Sequence, residues 1–273
     1  MAFLPRCARM NVATQPTGPT ETIVIPARGW QITPSHALLV GALCWAGFAL
    51  VAWAVHSNAA AAFDAAGLRF WRNSRDLGWA GGKASLEAVR DVTALGGVTL
   101  RIAFTMAALA ALLFLRMRRE AVLLLLTLLS GLAVGLTLKA LVGRPRPDLV
   151  PHLEYAGGLS FPSGHSFNSA LGMIAVALAF ATFSRRRSVR WTIIGSAVVA
   201  SMAVAFSRVM LGVHFPTDVI AGWLGGAGWA FLAAAVLARP ARRIADHNAA
   251  AIEAATPGAM AEIKPPTAAP DPR

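Results

Sequence analysis

Charge is scarce in this chain. Asp, Glu, Lys and Arg make up 14% of its 273 residues, where a soluble globular domain carries roughly 25%. That deficit counts against a soluble enzyme. Cysteine is nearly absent too. Cys7 and Cys44 are too few and too badly placed for a disulfide framework or a metal site, and Cys44, inside an apolar run, reads as a packing residue. The N-terminus MAFLPRCARM has neither a long apolar core nor a small-residue cleavage site, so no secretory signal is expected. Acidic residues are in short supply: 13 against 25 Lys and Arg, a net charge of +12. A basic excess raises the question of nucleic acid. Nucleic-acid binders, however, spread their cations over a water-facing surface, and here the few charges sit between long apolar runs. What the chain has in plenty is apolar residues, 56% of the total, with a mean hydropathy of +0.57. This excludes disorder for most of the chain and points to a membrane.

A helix needs about 20 apolar residues to cross the hydrocarbon core, and six stretches come close. They run about 36–56, 98–115, 121–142, 166–183, 191–211 and 217–238. The predicted fold is all-α, an integral membrane bundle of six transmembrane helices with an interfacial helical segment between the first two. Three segments follow from it: a flexible cytoplasmic N-terminal segment 1–35, a six-span domain 36–239, and a cytoplasmic disordered tail 240–273. Arginines mark alternate connections: Arg116, Arg118 and Arg119 between spans two and three, Arg185, Arg186, Arg187 and Arg190 between four and five, and Arg239, Arg242 and Arg243 after span six. The positive-inside rule makes these ends cytoplasmic, and both termini with them. The loop 57–97 breaks the pattern with Arg69, Arg72, Arg75, Lys83 and Arg90, but long loops weigh less in orientation. Its aromatic residues, interleaved with arginines, suit a headgroup-level lid. Ser85 is placed to cap a short helix there that Gly96-Gly97 closes. Two small-residue pairs, Gly131 with Gly135 and Gly222 with Gly226, read as close helix packing within one chain. The sequence says nothing of oligomeric state.

Ionisable residues at the ends of spans are costly and need a reason. Lys139 ends span three and is followed by Gly143-Arg144-Pro145-Arg146-Pro147, while Pro162-Ser163-Gly164-His165 precedes span four. Arg208 lies near the end of span five, and His214 and Asp218 bracket the start of span six. In an alternating bundle these ends all face one side, so the clusters converge on a single rim. Lys139, Arg146 and Arg208 can surround an oxyanion, the arginines through forked hydrogen bonds. The residue before a proline is held extended, so Arg144 and Arg146 point the same way and both reach the anion. Ser163 and Gly164 precede a helix start, where free backbone N–H groups favour phosphate. His214 with Asp218 has the form of a nucleophile and its orienting carboxylate, and His165 is free to protonate a leaving oxygen. No carboxylate cluster suggests a divalent metal, so the cations themselves must neutralise the phosphoryl group. His36, His56 and His247 read as caps or solvated residues, and Arg101 as a cation snorkelling to headgroups. His152 and Glu154 overhang the same rim.

These motifs resemble those of the type 2 phosphatidic acid phosphatase superfamily, which shares its site with vanadium haloperoxidases. They are Lys139 with six residues to Arg146-Pro147, Pro162-Ser163-Gly164-His165, and Ser207-Arg208 with five residues to His214 and three more to Asp218. The resemblance implies a multi-pass lipid phosphatase of the bacterial plasma membrane that uses neither metal nor other cofactor. Its site would lie on the outer face, and its substrate would be of the phosphatidic acid, phosphatidylglycerol phosphate or undecaprenyl pyrophosphate class. By the same resemblance His214 forms a phosphohistidine, Asp218 orients it and His165 is the general acid. Lys139, Arg146, Ser163, Gly164 and Arg208 bind the phosphoryl group, with Arg144 as a further candidate. The expected partners are the lipid phosphate and anionic membrane lipids, not nucleic acid. Two alternatives stay open: a phosphotransferase passing phosphate to another lipid, and a non-enzymatic six-span anion transporter. The transporter would place its polar residues near mid-bilayer on broken helices.

Overall fold

The computed structural model describes residues 33–184 and 186–255, from 237 onward as backbone only. The described residues form helices α1 (Pro34–His56), α2 (Ala61–Arg69), α3 (Lys83–Ala94), α4 (Val98–Phe114), α5 (Arg118–Val142), α6 (Gly164–Ala181), α7 (Arg187–Met210) and α8 (Pro216–Ala255). Among them there is no strand, only an isolated bridge between Arg72 and Trp79. An all-helical answer is what hydrocarbon demands, because each backbone polar group must be bonded within its own segment. α1, α5, α6, α7 and the first half of α8 are each long and apolar enough to cross a membrane. α4 qualifies only together with α3, the two meeting at a 47° bend. α3 itself, KASLEAVRDVTA, carries four charged residues in twelve, a composition that suits the interfacial place expected of it.

Two boundaries differ from the sequence expectation. α3 begins at Lys83, with Gly82 and not Ser85 at its N-cap position. The Ser85 hydroxyl instead donates to the Gly82 carbonyl and accepts from Trp79 Nε1. At the other end, the tail expected from 240 onward is helical as far as Ala255. The expectations for residues 1–32 and 256–273 lie outside the described residues.

The bundle is built around α6 and α8. α8 packs along α1 on one side and α6 on the other, and α6 also packs on α7. Lipid chains are as apolar as leucine, so close backbone approach rather than apolar burial draws such helices together. A Cβ placed on Gly222 would lie 2.6 Å from the Ser163 carbonyl oxygen, and one on Gly226 would collide with the Phe167 carbonyl. Gly131 faces Leu171 and Trp229, and Gly135 faces Phe167. Both glycine pairs thus pack inside the chain. α1, α4 and α5 show the opposite surface. Their outer faces carry exposed Leu43, Leu50, Phe104, Phe114 and Leu136, which suits contact with lipid. Buried polar side chains gather elsewhere, at the end of the bundle where α5 and α7 finish and α6 and α8 begin.

Candidate active site

Four chain segments meet at this rim. α5 ends after Lys139 with Gly143 in the left-handed conformation (φ 63°), a geometry that favours glycine. The extended Arg144–Pro147 run then turns the chain across the mouth of the bundle. α6 starts at Gly164, with Ser163 fully buried before it and no side chain capping its first turn. The Ser163 N–H donates to the Asp218 carbonyl (2.9 Å), which ties the start of α6 to the start of α8.

His214 lies between α7 and α8 and is 2% exposed. Its Nε2 is 3.1 Å from Arg146 Nη1. A guanidinium can only donate, so Nε2 carries the lone pair and the proton sits on Nδ1. Nδ1 lies 3.2 Å from the Ser160 hydroxyl and 3.6 Å from Asp218 Oδ2. The Ser160 hydroxyl in turn donates to that same Asp218 oxygen at 2.5 Å. The carboxylate therefore reaches the imidazole partly through Ser160. Burial holds the His214 pKa down, from its ordinary 6.5 to about 4, with the Asp218 hydrogen bond opposing. The ring is thus neutral, with its lone pair available, at neutral pH.

Asp218 is fully buried and bonded on both oxygens. Oδ2 also accepts from the Phe215 N–H (3.0 Å), and Oδ1 accepts from Arg144 Nη1 (2.7 Å). The Arg144 guanidinium also donates to the Thr217 hydroxyl and, through Nη2, to Asp64 Oδ2 at 2.7 Å, and it lies over the Phe215 ring. Arg144 is thus spent on two carboxylates and not turned with Arg146 toward an anion, as the extended-run reading expected. The reason is Asp64, buried on α2, whose oxygens also accept from the Thr217 N–H and hydroxyl and so cap α8. Gly67 lets α2 come this close, since a Cβ there would lie 2.5 Å from Pro216.

The other cations are held by the loop between α5 and α6. Lys139 Nζ donates to the Leu159 carbonyl (2.6 Å). Arg146 donates to the carbonyls of Gly157, Gly158 and Val213, and desolvation lowers its pKa from a very high starting point. Arg208, 2% exposed, bonds through Nη1 to Thr93 (3.0 Å) and Glu154 (3.1 Å), while its Nε is buried without a partner. His165 stands in the first turn of α6 beside Gly96: a Cβ there would lie 3.3 Å from His165 Cδ2. Of the two residues expected to overhang the rim, Glu154 meets Arg208, and His152 Nε2 pairs with the Pro147 carbonyl (2.7 Å). Sequence reasoning missed Asp64, Ser160 and Thr93. Ser160, two residues before the Pro162-Ser163-Gly164-His165 run, was within reach of inspection, whereas nothing near Asp64 or Thr93 marks them.

The chain resembles known proteins along most of its length. A family model described as PAP2 superfamily matches residues 120–242. A phosphatidylglycerophosphatase B of Bacillus subtilis is 31% identical over 187 residues, covering 64% of this chain and 84% of the relative. A lipid A 1-phosphatase of Rhizobium johnstonii is 38% identical over 119 residues, covering 40% of this chain and 44% of that one. The crystal structure of a transmembrane PAP2-type phosphatidylglycerolphosphate phosphatase from Bacillus subtilis superposes with a TM-score of 0.63 at 29% identity, covering 71% of this chain and 93% of that one.

Proposed function

Because the chain belongs to the PAP2 superfamily, we propose that it removes phosphate from a membrane lipid phosphate through a phosphohistidine formed on His214, with no metal ion. The observation that carries this reading is the state of His214. It is a buried neutral imidazole whose Nδ1 is held by Ser160 and Asp218 and whose Nε2 lone pair faces the Arg146 guanidinium. Nε2 attacks phosphorus and the bond to the lipid oxygen breaks. His165 gives its proton to that oxygen, and the lipid product leaves. Water then attacks the phosphohistidine, passing a proton to His165, and inorganic phosphate departs. Lys139, Arg146 and Arg208 balance the phosphoryl charge, with the Ser163-Gly164 turn offering N–H groups at the start of α6.

Arg144 has a different part: clamped by Asp64 and Asp218, it positions the carboxylate that positions His214. The substrate class is a phosphatidic acid, a phosphatidylglycerol phosphate or a prenyl diphosphate. The site faces outward, with both termini cytoplasmic. This orientation is supported by Arg116, Arg118, Arg119, Arg186 and Arg187 at the opposite rim; a reporter fused after Arg243 should read cytoplasmic, and a periplasmic signal reverses it.

The test of the reaction is phosphate release in detergent with chelator present. The wild type should turn over and form an acid-labile phosphoenzyme, and His214→Ala should do neither. Activity retained in His214→Ala overturns the nucleophile, and chelator-sensitive activity overturns metal independence. Label appearing on a second lipid instead of in free phosphate makes the protein a phosphotransferase.

A further inference from the structure

Next to the bend between α3 and α4 lies a cleft of about 430 Å³, lined by α4, α6 and α7. Its walls are apolar, with Phe104, Met173, Val176, Phe180 and Ile193 among them. Phe104, on its border, is 57% exposed, so the cleft is reached from the lipid side. Its upper end is different: Arg101 enters from α4, and Asn168 and Ser169 from α6. The Ser169 hydroxyl is 3% exposed and has no hydrogen-bond partner. Arg101 is half-buried and has neither an ion-pair nor a hydrogen-bond partner among the described residues. A hydroxyl buried unpaired against an apolar wall is costly unless something fills the gap, and the partly exposed Arg101 guanidinium opens on the same cleft with donors to give.

The polar end of the cleft adjoins the catalytic histidine. A Cβ on Gly96 would be 2.7 Å from the Ser169 hydroxyl and 3.3 Å from His165 Cδ2, so both crowd the same point above the bend. The reading of His165 as general acid puts the leaving oxygen at this point, and the chain attached to that oxygen must then run down the cleft. Arg101 stands where that chain begins.

We propose that Arg101 and Ser169 form a second anion subsite on the leaving-group side of the scissile bond, which makes this enzyme selective for lipid diphosphates. The inference rests on the phosphatase reading of the site. In a diphosphate, His214 attacks the terminal phosphorus and the bond from that phosphorus to the bridging oxygen breaks. The electron pair stays on the bridging oxygen, which takes the His165 proton, and a lipid monophosphate leaves. Its charge lies one bond beyond the broken one, beside Arg101. A phosphatidic acid leaves as a neutral alcohol and gives Arg101 nothing to bind. A phosphatidylglycerol phosphate carries its second phosphate several bonds further along.

The experiment measures kcat and KM in detergent for a prenyl diphosphate, a phosphatidylglycerol phosphate and a phosphatidic acid. It uses the wild type, Arg101→Gln, Arg101→Lys and Ser169→Ala. In Arg101→Gln the ratio of kcat/KM for the diphosphate over phosphatidic acid should fall about tenfold or more, with kcat sharing in the loss. Arg101→Lys should recover part of that ratio, and Ser169→Ala should lower it by a smaller factor. A ratio unchanged in all three variants overturns the subsite. So does a loss concentrated on phosphatidylglycerol phosphate, or a wild type that hydrolyses phosphatidic acid but not the diphosphate. If Arg101→Gln is inactive on every lipid, the Arg101→Lys and Ser169→Ala ratios decide. A wild type that hydrolyses none of the three overturns the phosphatase reading instead.

Discussion

Around Asp218 the polar atoms are bonded within the chain: its oxygens accept from Ser160, Phe215 and Arg144, and Arg144 is braced in turn by Asp64. Beside His165 the pattern is reversed, with Arg208 Nε and the Ser169 hydroxyl buried and unpartnered. On the proposed roles of His214 and His165, the contrast separates two tasks. A nucleophile must be aimed before substrate arrives, so its support is complete in the resting protein. A leaving-group side must bind atoms that the substrate supplies, so its bonds are unmade until then. The physical difference should show as a difference in how the two flanks respond to the leaving group.

Asp218→Asn and His165→Ala break the comparison most strongly. Asp218→Asn should lower kcat by roughly 10³–10⁴-fold through loss of the imidazole's orientation and charge support. That loss should be similar for a lipid phosphate and for p-nitrophenyl phosphate, since both need the nucleophile. His165→Ala should cost roughly 10²–10⁴-fold on the lipid, whose oxygen needs a proton. On p-nitrophenyl phosphate it should cost far less, because that leaving group departs unprotonated. Steady-state phosphate release on both substrates checks the pattern, and equal losses for His165→Ala would erase the distinction between the flanks.

Asp64→Asn tests how far the preorganised flank extends. It removes one of the two carboxylates holding Arg144 and weakens the cap on α8. A roughly ten- to hundredfold fall in kcat is expected, the scale of a small misplacement of catalytic groups, with KM little changed. Arg144→Lys should not substitute for arginine, because a single ammonium cannot fork between Asp64 and Asp218 as the guanidinium does. An Asp64→Asn variant with wild-type kcat would limit the network to Asp218.

The two flanks also differ in how legible they were. The motif residues on α5, α6, α7 and α8 could be gathered from sequence because span parity puts their ends on one rim, and hydropathy is enough to count spans. Arg144 reads from the sequence as a second anion-binding arginine, whereas its bond partner Asp64 lies 80 residues upstream on a helix that nothing local connects to the site. Ser160 escaped because a loop serine becomes informative only when its distance to Asp218 is known. Arg101 looked like a snorkelling cation, and only the cleft beside it suggests otherwise. The Gly96-Gly97 pair marks the break between α3 and α4 in the sequence without giving the 47° angle between them. Local chemistry is written in the sequence; which side chain meets which across the bundle is set by packing.

The smallest expected effect concerns stability and isolates the preorganised flank without catalysis. His214 has a folded pKa of about 4 against its ordinary 6.5, chiefly through burial. The folded state therefore binds the proton less readily than the unfolded chain. This contribution to stability is fully present above about pH 6.5 and declines as pH falls, reaching its full loss, on the order of 3 kcal/mol, below about pH 4. Thermal unfolding of the detergent-solubilised protein across that window should show a drop in Tm that is shallower in His214→Asn, which has nothing to protonate there. The acid limb of kcat/KM for the free enzyme should lie near pH 4 and not near 6.5, because burial keeps Nε2 unprotonated until then. Parallel Tm curves for the two proteins would mean that His214 titrates as an ordinary, solvated histidine, and the claim that its flank is closed and preassembled would fail with it.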